Sequence, residues 1–141
     1  MNKKKEIAAM LLGIVVAIII WITILSREKL IGTRIVYQPF HEFFSFWNRI
    51  KRGNLSKNFL GNILLFVPVG VLLPMMSEKH RSFWIILTGF CFSLLIEITQ
   101  FLTFYGCFDP DDVILNTLGT AIGYGLYRNI IHKRIVETKH F

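Results

Sequence analysis

The sequence predicts an all-α integral membrane protein: a four-helix bundle of membrane spans, with an interfacial amphipathic helix between spans one and two. Hydrophobic residues make up 53% of the 141 residues and charged residues only 18%, so a soluble domain would lack the polar surface that it needs. The mean hydropathy is +0.52. The apolar residues form four runs of span length, at about 7–25, 59–76, 83–104 and 113–131. This length suits a single membrane domain over residues 1–141.

The net charge of +7 lies mainly in the gaps between the apolar runs. We therefore expect the basic residues to contact anionic membrane lipids. No nucleic acid is expected as a partner, because no nucleic-acid-binding fold signature accompanies the basic clusters. The two cysteines, Cys91 and Cys107, have no metal-ligand spacing, so the sequence predicts no metal site, no cofactor and no disulfide.

The first run, 7–25, corresponds to about 28 Å of helix, which is enough to cross the hydrocarbon core. No small-x-small cleavage pattern follows it, so an uncleaved span is favoured over a signal peptide. The lysines at 3–5 precede it, and lysine and arginine favour the cytoplasmic side. We expect four spans with both termini cytoplasmic, although the basic residues of the linker after the first run argue against this orientation.

The linker contains a segment with helical periodicity, at 39–53. Its aromatic and aliphatic residues recur at three-four spacing, with polar residues on the other side. Proline suits the first turn of a helix and glycine the end, and Pro39 and Gly53 occupy these positions. We predict an amphipathic helix in the membrane interface. The alternative is a loop packed over the bundle.

Polar side chains that a bilayer disfavours recur near the ends of three runs. Glu97 and Gln100 lie inside the third run, Asp112 and Asn116 open the fourth, and Asn62 lies near the start of the second. Ionisable groups at membrane depth are expensive and usually functional. In an antiparallel bundle these helix ends share one membrane face, so we expect a polar site there.

Counting residues from the helix ends predicts which side chains meet. Gln100 and Asn116 each lie about 6 Å below the end of their helix, so their amides can meet across the hairpin. Glu97 lies about 10 Å deep, level with Gly119, where a missing side chain leaves space for a carboxyl group, water or a ligand. A carboxyl group at this depth should be protonated or paired with a cation.

The acidic block before the fourth run also has a purely structural explanation. Asp109 suits an N-cap, Pro110 suits the first helical position, and Asp112 can reach back in a capping box. The amides could equally serve as interhelical hydrogen bonds, which contribute about 0.6 kcal/mol each in membranes.

Gly119 and Gly123 form a GxxxG pattern inside the fourth run. Such a pattern lets two helices approach closely. The sequence leaves open whether the second helix belongs to the same bundle or to another copy in a homodimer.

Three blocks carry a resemblance to a known family: NILLFVPVGVLLP at 62–74, EITQ at 97–100 and FDPDDVILNTLG at 108–119. In this order, over about 58–127, they resemble the signature blocks of the VanZ-like membrane proteins. The resemblance implies a multi-pass protein of the bacterial cytoplasmic membrane, in a family whose founding member raises tolerance to the glycopeptide antibiotic teicoplanin.

The resemblance also marks polar positions, without a catalytic assignment. The positions that match the family's recurrent polar residues are Asn62, Glu97, Gln100, Asp109, Asp112 and Asn116. Many members carry a basic residue just before the acidic block, whereas 105–107 has none here. A charge partner should then come from the first linker, with Arg27 and Arg34 as the candidates.

These observations favour a non-enzymatic envelope protein whose outward-facing polar pocket binds an envelope component or a glycopeptide. The alternative is a membrane-embedded enzyme acting on a lipid-linked or phosphorylated substrate, with Glu97 and Asp112 as acid and base or as ligands of a divalent cation. The spans contain no nucleophile arrangement, which argues against the enzyme. A proton pathway through Glu97 is a third hypothesis. Such a pathway would need a chain of ionisable groups.

Overall fold

The computed structural model of the chain describes residues 3–27, 40, 44, 45, 48, 51, 57–76 and 81–132. The regular elements of this described part are all helical, which confirms the all-α prediction. The four α-helices are α1 (Lys3–Ile20), α2 (Lys57–Met76), α3 (Ser82–Thr103) and α4 (Pro110–Leu126). α1 and α4 each continue into a π-helical turn, Trp21–Leu25 after α1 and Tyr127–His132 after α4.

Three helical segments are long and apolar enough to cross a membrane. They are Lys3–Leu25, Asn58–Met76 and Ser82–Thr103, with mean hydropathies of 2.9, 2.1 and 1.9, and they agree with the first three predicted spans. α4, with 17 residues, is not among them. Its first turn contains Asp111 and Asp112, so the α-helical part is shorter and less apolar than the predicted run.

The predicted interfacial helix lies mostly outside the described residues. Within 39–53 the structure describes only 40, 44, 45, 48 and 51. Phe40 has a φ of 64°, which is left-handed and not α-helical. Its carbonyl accepts from the N–H of Phe44 at 3.1 Å. A helix in this segment therefore begins only after Phe40, later than the position of Pro39 suggested.

α4 lies between α2 and α3, and α1 packs against α2. The close contact of α2 with α4 depends on the glycines of the GxxxG pattern. A Cβ atom at Gly119 would lie 2.2 Å from the carbonyl oxygen of Ile63, and one at Gly123 would lie 2.1 Å from that of Val67. The pattern thus serves packing inside one chain. The space beside Gly119 holds the backbone of α2, so the expectation that it faces Glu97 across an open gap is wrong.

A small apolar core joins α1, α2 and α3. Ile19, Phe66, Val69 and Ile96 form its buried centre, and the ring centroids of Phe66 and Phe92 lie 5.6 Å apart. The helix order brings the end of α1, the start of α2, the end of α3 and the start of α4 to the same end of the bundle. The polar residues singled out from the sequence lie at this end.

Candidate functional site

The start of α4 is built as the acidic block predicts. Asp109 is the N-cap, with extended φ and ψ of −120° and 109°, and Pro110 follows at the first helical position. Oδ1 of Asp109 accepts from the N–H of Asp111 at 2.9 Å. This bond satisfies one of the backbone donors that every helix start leaves unpaired. The N-cap prediction is confirmed.

The capping box is not formed as expected, because the acidic block bonds to other helices. The N–H of Asp109, which a capping box would pair with Asp112, donates to Oε2 of Glu97 at 2.8 Å. Oδ1 of Asp112 accepts from Nδ2 of Asn62 on α2. The first turn of α4 is thereby tied to α3 on one side and to α2 on the other.

Glu97 lies inside the protein and not against lipid. Only 2% of its surface is exposed, and its carboxyl group receives the Asp109 N–H described above. Asp109, Asp112 and Arg27 are all close enough to Glu97 to act on it electrostatically. The bond to the N–H of Asp109 places the carboxyl group next to the N-cap of α4, and not level with Gly119 as residue counting predicts.

Gln100 faces α1 and not Asn116. Nε2 of Gln100 donates to the carbonyl oxygen of Thr23, in the π-helical turn after α1, at 2.6 Å. Nδ2 of Asn116 donates to Oγ of Ser93 on α3 at 2.8 Å. Gln100 and Asn116 do not bond to each other as the hairpin alone predicts, because the Gln100 amide bonds to the turn after α1 and the Asn116 amide bonds to Ser93. Within the described part of the chain, Oε1 of Gln100 and Oδ1 of Asn116 are buried without a hydrogen-bond partner.

A cavity of about 330 Å³ lies above these buried groups, between the helix ends. Its lining combines cationic, anionic, amide and thiol side chains from the segment after α1, from α2, from the loop after α3 and from α4: Arg27, Asn58, Asn62, Cys107, Asp109 and Asp112. Four residues singled out from the sequence thus meet at one cavity, namely Asn62, Asp109, Asp112 and Arg27. Glu97, Gln100 and Asn116 lie outside its lining, and Arg34 lies outside the described residues.

At this end of the bundle, several residues have a structural role that no pattern in the sequence indicates. Asp111 is 0% exposed, and its Oδ1 accepts from the N–H of Phe40 at 2.5 Å. These two residues are 71 positions apart, so no local pattern links them. Cys107 and Asn58 also line the cavity. The sequence singles out Cys107 only for the question of disulfide or metal chemistry, and Asn58 lies just before the predicted second span, 59–76.

The cavity offers both hydrogen-bond donors and acceptors. Asn58, Asn62 and the guanidinium of Arg27 can donate, and the carboxylates of Asp109 and Asp112 accept. Among the described residues, no group of three or more His, Cys, Asp or Glu side chains is placed to hold a metal ion. The arrangement suits the binding of a small charged or polar group. The acid–base pair of Glu97 and Asp112 stays a prediction.

Comparison with known proteins relates this arrangement to a family. The family model described as VanZ/LLP1 matches residues 8–132. Protein VanZ of Enterococcus faecium is 37% identical over 75 residues, which are 50% of this chain and 44% of that protein. The match therefore spans less than half the length of this curated relative. No solved structure matches the chain. Because the family match extends from α1 through the π-helical turn after α4, the chain belongs to the VanZ/LLP1 family.

Proposed function

We propose that this chain is a multi-pass protein of the bacterial envelope that binds an envelope component or a teicoplanin-type glycopeptide at the cavity, and so contributes to antibiotic tolerance. The observation that carries the proposal is the cavity itself, where Arg27, Asn62, Asp109 and Asp112 meet between four converging segments. Family membership supports the link to teicoplanin. A purely structural cap would not need a guanidinium and two carboxylates around one space.

The proposal includes α4 as a fourth span. Ile114, Leu118, Ile122 and Leu126 are all exposed and recur every fourth residue, so they form an apolar stripe along α4. Gly119 and Gly123 lie on the opposite, packed side. α4 together with its π-helical turn covers 110–132, about 34 Å at the α-helical rise. This length and the stripe fit a helix that contacts lipid on one side and the bundle on the other.

The proposal also places the cavity on the outer side of the membrane. The opposite ends of the helices carry basic residues, with Lys3, Lys4 and Lys5 on α1, Arg81 before α3 and Arg128 after α4. Lysine and arginine next to a span favour the cytoplasm. A cavity at the other end is then open to antibiotic and to the lipids of the outer leaflet.

Two cavity substitutions test the proposal in bacteria that depend on this gene for teicoplanin tolerance. Asn62→Leu removes a donor of the lining, and Asp112→Asn removes a charge while keeping the shape and one acceptor oxygen. We expect both variants to lose most of the tolerance at unchanged amounts of protein in the membrane. The matched control is Asn129→Leu, at an exposed position of the turn after α4, which should keep tolerance. Normal tolerance in both cavity variants would contradict a role for the cavity.

A further inference from the structure

The volume of the cavity limits what it can hold. Pockets for small ligands are typically about 300–1,000 Å³, and this cavity, at about 330 Å³, is at the lower end. A whole glycopeptide is far larger than a drug-sized ligand. The cavity is therefore suited to a small polar group, either free or at the end of a larger molecule.

The charges of the lining narrow the chemical class of the ligand that the cavity can bind. Among the lining residues that the structure describes, Arg27 brings one positive charge, and Asp109 and Asp112 bring two negative charges. A simple anion would meet repulsion from both carboxylates, and a divalent cation would meet repulsion from the guanidinium. In a group that carries a cation and an anion a few ångströms apart, the cation can contact a carboxylate of the lining while the anion contacts the guanidinium. Guanidinium binds phosphate with two parallel hydrogen bonds, and a primary ammonium donates three hydrogen bonds to carboxylate or amide oxygens.

The surroundings of the cavity favour a lipid as the source of this group. Trp21 and Leu25, on the turn that precedes Arg27, are exposed, as are Leu102 and Phe104 at the end of α3. These side chains flank the helix ends that form the cavity. Tryptophan is typical of the membrane–water boundary, and Trp21 beside the cavity fits a cavity at the depth of phospholipid head groups. Acyl chains of a bound lipid could lie against this apolar surface, which a soluble ligand would leave unused.

We propose that the cavity binds the head group of an aminophospholipid, with Arg27 contacting the phosphate and Asp109 and Asp112 accepting hydrogen bonds from the primary ammonium. Asn58 and Asn62 supply further donors and acceptors from α2. This inference rests on the proposed function, because it assigns a ligand class to the same cavity.

Native mass spectrometry of the purified full chain tests the inference directly. The chain in detergent is offered phosphatidylethanolamine, phosphatidylcholine and phosphatidylglycerol at equal concentration. We expect retention of phosphatidylethanolamine at least about tenfold above the other two, since a quaternary ammonium has no N–H to donate and phosphatidylglycerol has no cation. This selectivity of the unmodified chain needs no variant to fold.

Charge-removing variants locate the bound lipid. Arg27→Gln and Asp112→Asn should each weaken phosphatidylethanolamine retention about tenfold, which corresponds to one lost charge-assisted contact. The matched controls are Arg81→Gln and Glu6→Gln, which remove the same charges at exposed positions away from the cavity. They should retain the lipid as the unmodified chain does. Circular dichroism confirms that each variant keeps its helix content.

The outcomes separate this inference from the proposed function. Equal retention of the three lipids, or equal loss in cavity variants and controls, would overturn the aminophospholipid site. Displacement of the lipid by free phosphoethanolamine at equal concentration would show a soluble zwitterion as the ligand and overturn the lipid. If the variants lose teicoplanin tolerance without any lipid selectivity, the inference fails and the proposed function stands. If lipid retention depends on Arg27 and Asp112 while the variants keep full tolerance, the inference stands and the proposed function fails.

Discussion

Glu97 accepts the backbone N–H of Asp109 in a buried site at the junction of α3 and α4. A buried donor that loses its acceptor costs about 1–3 kcal/mol. We expect Glu97→Leu to lower the free energy of unfolding by about this amount. Glu97→Gln keeps an acceptor oxygen at the same position, so its loss should be smaller.

Thermal unfolding of both Glu97 variants in the same detergent measures the difference. If Glu97→Leu melts at the same temperature as Glu97→Gln, the bond to Asp109 contributes nothing to stability. The burial of Glu97 could be predicted, because a carboxyl group inside an apolar run is stable only when turned away from lipid. Its partner could not be predicted, since the N–H of Asp109 also has a local acceptor in the capping-box alternative.

Asp111 gives a second prediction at the residue scale. Its carboxylate is fully buried and accepts from the N–H of Phe40, whose backbone is left-handed. Side-chain bonds of this kind compensate for a backbone conformation that L residues rarely adopt. Asp111→Ala should expose the Phe40 amide to exchange, and we expect its hydrogen-exchange rate to rise by about tenfold or more.

Asp111→Asn is the matched control because it retains an acceptor oxygen. Its exchange rate at Phe40 should stay close to that of the unmodified chain. An unchanged rate in Asp111→Ala would mean that the N–H of Phe40 is protected by other contacts. This pair had no signal in the sequence, because Asp111 sits in an acidic block whose neighbours already explain it as part of a helix start.

At the scale of elements, the starts and ends of the helices were largely predictable. The hydrogen-bond and packing partners of their side chains were not. Pro110 after Asp109 fixed the start of α4, and the apolar runs fixed α2 and α3 to within a few residues. The partner of Gln100 was not predictable from the α3–α4 hairpin, because it is a carbonyl oxygen of the turn after α1, on a third segment of the chain. The GxxxG pattern predicted close packing but not the identity of the second helix.

The α2–α4 contact can be tested at one glycine. A methyl group at Gly123 would lie 2.1 Å from the carbonyl oxygen of Val67 and must push the two helices apart. Overpacking of this kind costs about 1–3 kcal/mol, so Gly123→Ala should lower the melting temperature by several degrees. It should also reduce teicoplanin tolerance in proportion, because Asn62 and Asp112 lie on these two helices.

Gly125→Ala is the matched control on the same helix. A Cβ atom there meets nothing within 4 Å, and alanine is a better helix former than glycine by about 1 kcal/mol. Its melting temperature should stay the same or rise. A fall as large as that of Gly123→Ala would show that alanine destabilises α4 at either position. The close contact between α2 and α4 would then not explain the effect of Gly123→Ala.

At the scale of the whole molecule, the direction in which the cavity opens decides what it can meet. Three helix ends away from the cavity carry lysine or arginine, at Lys3, Arg81 and Arg128. The linker on the cavity side is basic as well, so charge alone gave an ambiguous topology. The convergence of the polar residues could be predicted without knowing the membrane orientation. Antiparallel helices bring the same helix ends together in either orientation.

Cys107 provides a natural probe of this orientation. It is part of the cavity lining, whereas Cys91 lies exposed in the middle of α3, where hydrocarbon suppresses the thiolate that reacts. We expect a membrane-impermeant maleimide to label intact cells that carry the Cys91→Ser variant, and not cells that carry Cys107→Ser.

In a background without either cysteine, Asn129→Cys at the other end of α4 should be labelled only after the cells are made permeable. Labelling of Cys107 that requires permeable cells, with Asn129→Cys labelled from outside, would place the cavity on the cytoplasmic side. The cavity could then act only on an inner-leaflet or cytoplasmic ligand, and direct capture of teicoplanin outside the cell would be ruled out.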